Sequence, residues 1–486
     1  MKRLLLASAA TAVIAIAATG SAMAACSPDY SGVTITIATQ TGPYIASALS
    51  AAGPAWKAKT CGNVKVVEFP WSELYPKIAT SLAGGDAAFD AVTFAPAWSA
   101  DFKPYLDQMP TAMQQGKDWE DIHPMYRGRL MLFDGKVLSQ SMDGDVHTYT
   151  YRIDLFEDPK EKEAFKAKYG YDLAIPQTWK QYLDIAEFFQ RPDKGLWGTA
   201  EAFRRGGQQF WFFFSHAAAY TNHPDFPGSM FFDPDTMAAQ INNPGWVKGL
   251  EEYIRASKLA PPNALNFSFG EVNAAIAGGQ AAESIGWGDT GVIAADPKQS
   301  KIAGKVGSAI LPGSKDIWNY KTKKWDSFPQ VVFSPFMAFG GWQIGVASST
   351  KNKEAAWSFI QTLTSPEVSG QAVVTGGTGV NPYRLTHMTN TANWSKIFSD
   401  REAKEYLGAQ QASLDAKNVA LDMRLPGYFS YTEVLEIELS KALAGQSTPQ
   451  QALDSVASQW NKLTDDFGRD KQLAVYRDAV GLPPKK

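Results

Sequence analysis

Five carboxylates stand near aromatic or glycine-rich stretches of this chain: Asp143, Asp145, Glu271, Glu283 and Asp289. A glycoside hydrolase needs two such groups, one as acid and one as base or nucleophile. Because the chain has 49 acidic residues, this proximity alone carries little weight. Other catalytic constellations are missing from the sequence. It contains no G-x-S-x-G, no H-E-x-x-H and no G-x-x-x-x-G-K-[ST]. GGTGVNP (376–382) departs from the dinucleotide fingerprint, since Asn381 and Pro382 stand where a glycine and a helix are required. The five histidines, at 123, 147, 216, 223 and 387, lack ligand spacing on a helix. No catalytic set, metal or cofactor is expected.

Aromatic side chains are the richer signal, with 15 Trp, 18 Tyr and 27 Phe. Trp179, Trp357 and Trp460 fall at helical spacing among apolar residues and read as core. Trp98 follows the strand pattern FDAVTFA, and Trp287 follows AAESIG inside IGWGDTG. Trp342 comes directly after Gly340 and Gly341 and directly before the strand pattern QIGVAS. Glycine removes side-chain bulk, so a ligand can approach such a turn. Open α/β sheets bind ligands beyond the carboxyl ends of their strands. Trp98, Trp287 and Trp342 are therefore candidate ligand platforms, with core packing as the alternative.

The elements that would hold these residues alternate. VTITIAT (33–39), VKVVEF (64–69) and FDAVTFA (89–95) have strand patterns, and helices are expected near 45–59 and after Ser72, a candidate cap. Leu74, Ile78 and Leu82 recur every four residues, and Gly84 and Gly85 end that helix. Strands alternating with helices imply a largely parallel sheet covered on both faces. Thr178 with Gln181, and Thr448 with Gln451, spell capping boxes, and Thr350 is a candidate cap for a helix carrying Ala356, Trp357, Ile360 and Leu363. No linker marks a clean cut, so the chain is expected to pass between domains more than once.

Lys2 and Arg3, an apolar run through Ile16 and the site Ala22-Met23-Ala24 read as a signal peptide over 1–24. Export to the periplasm follows from it. The pair Cys26 and Cys61 is expected as a disulfide. Lipidation of Cys26, which stands next to the cleavage site, is the alternative. The formal charge of −3 becomes −3 − 2 = −5 without Lys2 and Arg3, and no basic tract points to nucleic acid.

Six stretches, taken in order, resemble the extracellular solute-binding proteins of family 1 that serve carbohydrate ABC importers. They are FDAVTFAPAWSADF, DGKVLSQSMDGDVHTYTYRIDLFED, AIPQTWKQYLDIA, FSFGEVNAAIAGGQAAESIGWGD, AILPGS with GGWQIGVASSTKNKEAAWSFIQTLTSPE, and STPQQAL. The resemblance runs over nearly all of the mature chain, with extra sequence around 212–234 and 317–336. It implies a monomer of two α/β lobes closing on a ligand at a multi-segment hinge, and docking onto the permease subunits of an importer. Lobe 1 would comprise 27–145 and 305–364, and lobe 2 146–304 and 365–486. The implied ligand is a carbohydrate, with at least a disaccharide favoured by several tryptophans, or else a polyol or sugar acid. By position, Trp98, Trp287 and Trp342 would stack on sugar rings, and Asp145, with Asp143 beside it, would take hydroxyls. Tyr44 and Trp71 would line the first lobe, and Gln208, Gln209 and Arg384 would serve from the second. Asp289 and the space-clearing Gly341 complete the expected set. A secreted glycoside hydrolase is the reading from another class.

Overall fold

A computed structural model describes residues 26–485. The leader expected over 1–24 and its cleavage site lie outside the described residues. Among those residues no helix is long and apolar enough to cross a membrane.

The first sheet has five strands in the order Asn63–Phe69, Thr34–Gln40, Ala91–Phe94, Gln343–Val346 and Gln140–Ser141. Thr34–Gln40 pairs in parallel with both neighbours. Gln343–Val346 pairs antiparallel on both sides, so the largely parallel sheet expected from the alternation is half antiparallel. The reason is connectivity. The strands up to Phe94 are joined by helical crossovers, which enforce parallel pairing. Gln343–Val346 instead returns from the other half of the molecule and enters the sheet from the opposite end. Helix Tyr44–Thr60 buries Ile45, Leu49, Ala52 and Trp56, and helix Lys353–Leu363 packs beside it. There the Trp56 indole donates to Ser358 Oγ at 3.1 Å and meets Phe359 edge-on at 5.7 Å.

Two expected caps fall elsewhere. Helix Trp71–Gly84 starts one residue before Ser72, behind Pro70, with no side-chain cap. Helix Lys353–Leu363 starts after Asn352, and Thr350 Oγ1 accepts the Asn352 N–H and donates to Asp90. The capping boxes at Thr178 and Thr448 form as expected, each worth about 1 kcal/mol. Trp179, Trp357 and Trp460 are buried in the core.

The second sheet runs Val306–Ala309, Thr148–Arg152, Ala281–Gly286, Trp197–Ala200, antiparallel except for its last pair. Every residue of AAESIG is buried. Helix Asp400–Leu414 covers its Val306 edge, where Glu402 accepts the Val306 N–H at 3.2 Å and Glu405 accepts the Tyr151 hydroxyl at 3.0 Å. The chain thus crosses between the sheets three times, within 142–147, 310–342 and 364–400. The boundary at 305 needs correction: Val306–Ala309, expected in lobe 1, pairs with Thr148–Arg152 in the second sheet. The following hairpin, Ser314–Asn319 with Lys324–Val332, also belongs to the second half. It packs on the wholly buried helix Gln209–Thr221, and His223 Nε2 lies 3.0 Å from Asp326 Oδ2. The two segments of extra length therefore cover each other.

Cys26 and Cys61 are joined in a disulfide with Cα atoms 5.8 Å apart, as expected. Cys61 ends helix Tyr44–Thr60 in the left-handed conformation, its N–H donating to Lys57 O. The bridge ties the described N-terminus to that helix end.

Candidate functional site

A cleft of about 320 Å³ opens between the two halves. On the first side it is lined from the carboxyl ends of the parallel strands, where the backbone of each strand releases its side chains towards a helix start. Gln40 ends Thr34–Gln40, Tyr44 opens the next helix, and Trp71 opens the helix after Asn63–Phe69. Phe339 and Trp342 come from the returning crossing. There Phe339, Gly340 and Gly341 all take positive φ, at 65°, 82° and 82°. A side chain on Gly341 would have no room: a Cβ there would lie 2.7 Å from the Asp143 carbonyl carbon and 3.0 Å from Asp145 N. The returning crossing is pressed directly onto the first one. The Trp342 N–H donates to Asp143 Oδ2 at 3.2 Å, and its ring packs against Phe339 at 4.9 Å and edge-on to Trp71 at 6.2 Å.

On the second side, Trp287 follows Ala281–Gly286 and caps helix Gly288–Ala295, whose first turn carries Asp289. Its indole N–H donates to Ala338 O at 2.8 Å, which fixes the ring plane. Phe269 opens helix Phe269–Ala277 and meets Trp287 edge-on at 4.9 Å, and Tyr44 stands across the cleft from Phe269 at 6.2 Å. Gln208, at φ 76°, turns the chain into helix Gln209–Thr221, and Arg204 is exposed at the rim. Aromatic faces thus enclose the cleft from both halves. Such faces supply large apolar contact area at fixed geometry.

Three carboxylates gather at the floor. Asp143, fully buried, accepts N–H groups from Gly144 at 2.7 Å, Asn381 at 2.6 Å and Trp342 at 3.2 Å. Burial nevertheless pushes its carboxyl up to about 6. Asp145 accepts from Asn381 Nδ2 at 2.7 Å, and burial with the neighbouring Asp143 raises it well above the ordinary range. Burial and the Asp143 charge push Asp289 up to about 8. Taking a charge out of water disfavours ionisation, and a second negative charge nearby disfavours it further.

Of the residues expected in the site, Tyr44, Trp71, Asp145, Gln208, Trp287, Asp289 and Trp342 line this one cleft. Trp98 does not: it is buried beneath Trp71, ring centres 5.6 Å apart, and edge-on to Tyr75 at 5.3 Å. Asp143 and Gly341 lie behind the lining and hold it in place. Gln209 turns away, its amide donating to Glu436 O at 2.9 Å. Arg384 belongs elsewhere. Its guanidinium donates to Asp118 O, Asp121 and Thr364 O, on a separate cavity lined by Lys117, Trp119 and Gln140. A buried guanidinium keeps its partners at full strength, and these are structural ones. Among the hydrolase candidates, Glu271 is used up in the capping box with Ser268, and Glu283 accepts the Tyr149 hydroxyl inside the second sheet.

The expected set lacks Gln40, Phe269, Phe339 and Arg204, all of which line the cleft. Phe269 was open to detection: Ser268-Phe269-Gly270-Glu271 spells a capping box, which puts Phe269 first in its helix. Phe339 stands directly before Gly340 and Gly341, but a positive φ at phenylalanine has no sequence signature. Arg204 carries no signal.

Solved structures share this architecture. A solute-binding protein of an ABC transporter from Agrobacterium radiobacter, in complex with ribitol, is 23% identical with a TM-score of 0.70, covering 90% of this chain and 100% of that one. Maltose-bound T. maritima MalE3 is 20% identical with a TM-score of 0.69, covering 89% and 100%. An Agrobacterium vitis solute-binding protein with bound D-mannitol is 22% identical with a TM-score of 0.67, covering 90% and 99%. These likenesses establish the two-lobe fold. Among curated relatives, a probable amino-acid ABC transporter periplasmic-binding protein of Sinorhizobium fredii is 25% identical over 326 residues. That match covers 65% of this chain and 65% of the relative, under two thirds of its length. The profile of the bacterial extracellular solute-binding proteins matches residues 42–369, most of the chain, and the chain belongs to that family.

Proposed function

We propose that this protein captures a single sugar or polyol in the cleft and presents it to the permease of an ABC importer from the periplasm. The observation that carries the reading is the lining: aromatic faces and hydrogen-bonding side chains converge from both halves on one cavity. Flat apolar rings suit the C–H faces of a sugar, while Asp145, Asp289, Gln40 and Gln208 offer acceptors and donors to its hydroxyls. The volume of about 320 Å³ lies at the lower end of the range of small-molecule sites, roughly 300–1,000 Å³. It favours one ring or an open-chain polyol over the disaccharide expected from the number of tryptophans. The ribitol, mannitol and maltose in the similar structures support the solute class. The protein acts as a monomer and is a carrier, not a hydrolase. Its two halves close about the three crossings, a hinge motion of the kind that periplasmic binding proteins exemplify.

The test is a thermal-shift screen of the mature protein over sugars and polyols, run beside a hydrolysis assay on aryl glycosides. A ligand at a hundredfold excess over Kd stabilises the folded state by about 2.7 kcal/mol. At least one compound should raise the melting temperature, and none should be turned over. Hydrolysis of any glycoside, or a flat response over the whole library, would remove the reading.

A further inference from the structure

The titratable side chains at the floor of the cleft are acidic. Asp145 and Asp289 both line it, and each is more than nine-tenths buried. Asp145 meets two polar side chains, the Asn381 amide and the neighbouring Asp143 carboxyl, neither of them cationic, and the enclosed Asp289 Oδ2 has no hydrogen-bond partner among the described residues. The titratable groups facing Asp289 are Asp143 and Asp145 from the first crossing, Tyr44 from the first lobe and Tyr406 from helix Asp400–Leu414. None of these is basic. Arg204 is the one cationic side chain in the lining among the described residues, and it is exposed at the rim.

Buried carboxylates normally carry a partner of opposite charge, since an isolated buried charge is among the costliest features of a protein interior. Burial and neighbouring negative charge raise the carboxyls of both Asp145 and Asp289 for this reason. The surroundings are otherwise suited to a cation. Trp71, Phe339, Trp342, Trp287 and Phe269 line the same cavity, and aromatic faces attract positive charge. A neutral sugar would use the rings and bond the acids as neutral groups. A positively charged group would in addition supply the counter-charge that the cleft floor lacks and let the acids ionise.

This inference rests on the sugar-or-polyol reading of the cleft. We propose that the captured solute carries a protonated amine, an amino sugar or an amino-polyol, with its ammonium group seated between Asp145 and Asp289. The ammonium donates to one oxygen of each carboxylate, and the carbon skeleton lies against the aromatic walls. Charge-assisted bonds of this type are roughly twice as strong as neutral ones.

Matched pairs test it by titration calorimetry at pH 7 on the mature protein: glucosamine and glucose, galactosamine and galactose, mannosamine and mannose, 1-amino-1-deoxysorbitol and sorbitol. N-acetylglucosamine adds a control that keeps the nitrogen and loses the charge. In at least one pair the amine should bind tenfold or more tightly than its neutral partner. Its apparent heat should vary with the buffer, because an acid releases its proton on binding. Asp289→Asn, checked for folding by its melting curve, should bring that affinity ratio close to one. If in each pair the neutral compound binds as tightly as the amine, or more so, the amine inference is overturned and the sugar-or-polyol reading stands. If no member of any pair binds, the amine inference is overturned, while the sugar-or-polyol reading is decided by the thermal-shift screen over the whole library. A ratio that Asp289→Asn leaves unchanged in a folded variant also overturns the seat proposed here.

Discussion

Gly341 couples the two crossings that build the cleft floor, and Gly341→Ala perturbs that contact with one methyl group. The change has two costs. At φ 82° an L-residue is strained, by about 1–2 kcal/mol. In addition the new Cβ would lie 2.7 Å from the Asp143 carbonyl carbon, against about 3.5–4.0 Å for a relaxed contact, so the 143–145 backbone must retreat by about 1 Å. Gly445→Ala separates these effects: its φ is 71°, and nothing lies within 4 Å of an added Cβ. Gly340→Ala is intermediate, with φ 82° but its nearest contact, at 3.1 Å, on the movable Leu130 side chain. Chemical denaturation should place Gly445→Ala about 1 kcal/mol below the parent and Gly341→Ala at least about 2–3 kcal/mol below it. Ligand affinity should hold in Gly445→Ala and fall about tenfold or more in Gly341→Ala, because Asp145 rides on the displaced segment. Equal stability losses and equal affinities for the 341 and 445 variants would refute the claim that the crossings bear on each other.

Titration of the denatured, unreduced protein should find essentially no free thiol, and replacing Cys61 by Ser should cost about 3–4 kcal/mol for a loop of separation 35; two titratable thiols would refute the bridge. Stability of the ligand-free protein should fall as pH rises from 6.5 to 8. Asp289 at about 8 keeps its proton in the folded chain and loses it in the unfolded one, and Glu252, pushed up to about 7 by burial, acts in the same direction. Each such proton contributes up to about 1.4 kcal/mol per pH unit within its window. His147 and His387, held by burial at about 3, oppose this only below about pH 6.5, where the unfolded chain gains their protons. A melting temperature that is flat or rises between pH 6.5 and 8 would contradict the burial of these acids.

Much local chemistry was legible in the sequence, although Ser72 and Thr350 do not cap the helices expected of them, and long-range pairing apart from Cys26–Cys61 was not. The capping boxes at Thr178 and Thr448 need only four residues each, and both formed. Val306–Ala309, four residues without a strand pattern of their own, is recruited as a strand by Thr148–Arg152, more than a hundred residues earlier. Gln208 and Gln209 are chemically identical neighbours. One faces the cleft, and the other is turned into a helix contact by a left-handed φ at Gln208 that glutamine does not announce. Trp98 and Trp71 show the same limit, since their order within the aromatic layer decides which one meets the cavity. Arg384 looked like a ligand group until Asp121 and two carbonyls were seen to hold it. A side chain's type is local information, whereas its vacancy for a ligand depends on everything packed around it.

The return of Gln343–Val346 to the first sheet also bears on how long the young chain stays exposed. Gln343 pairs with Phe94, a separation of 343 − 94 = 249 residues. Until that stretch is made, Ala91–Phe94 keeps an open, apolar edge, the kind of surface that recruits other strands. The first lobe therefore cannot complete its sheet until the 343–346 stretch has arrived, and any truncation before it leaves that strand edge unpaired.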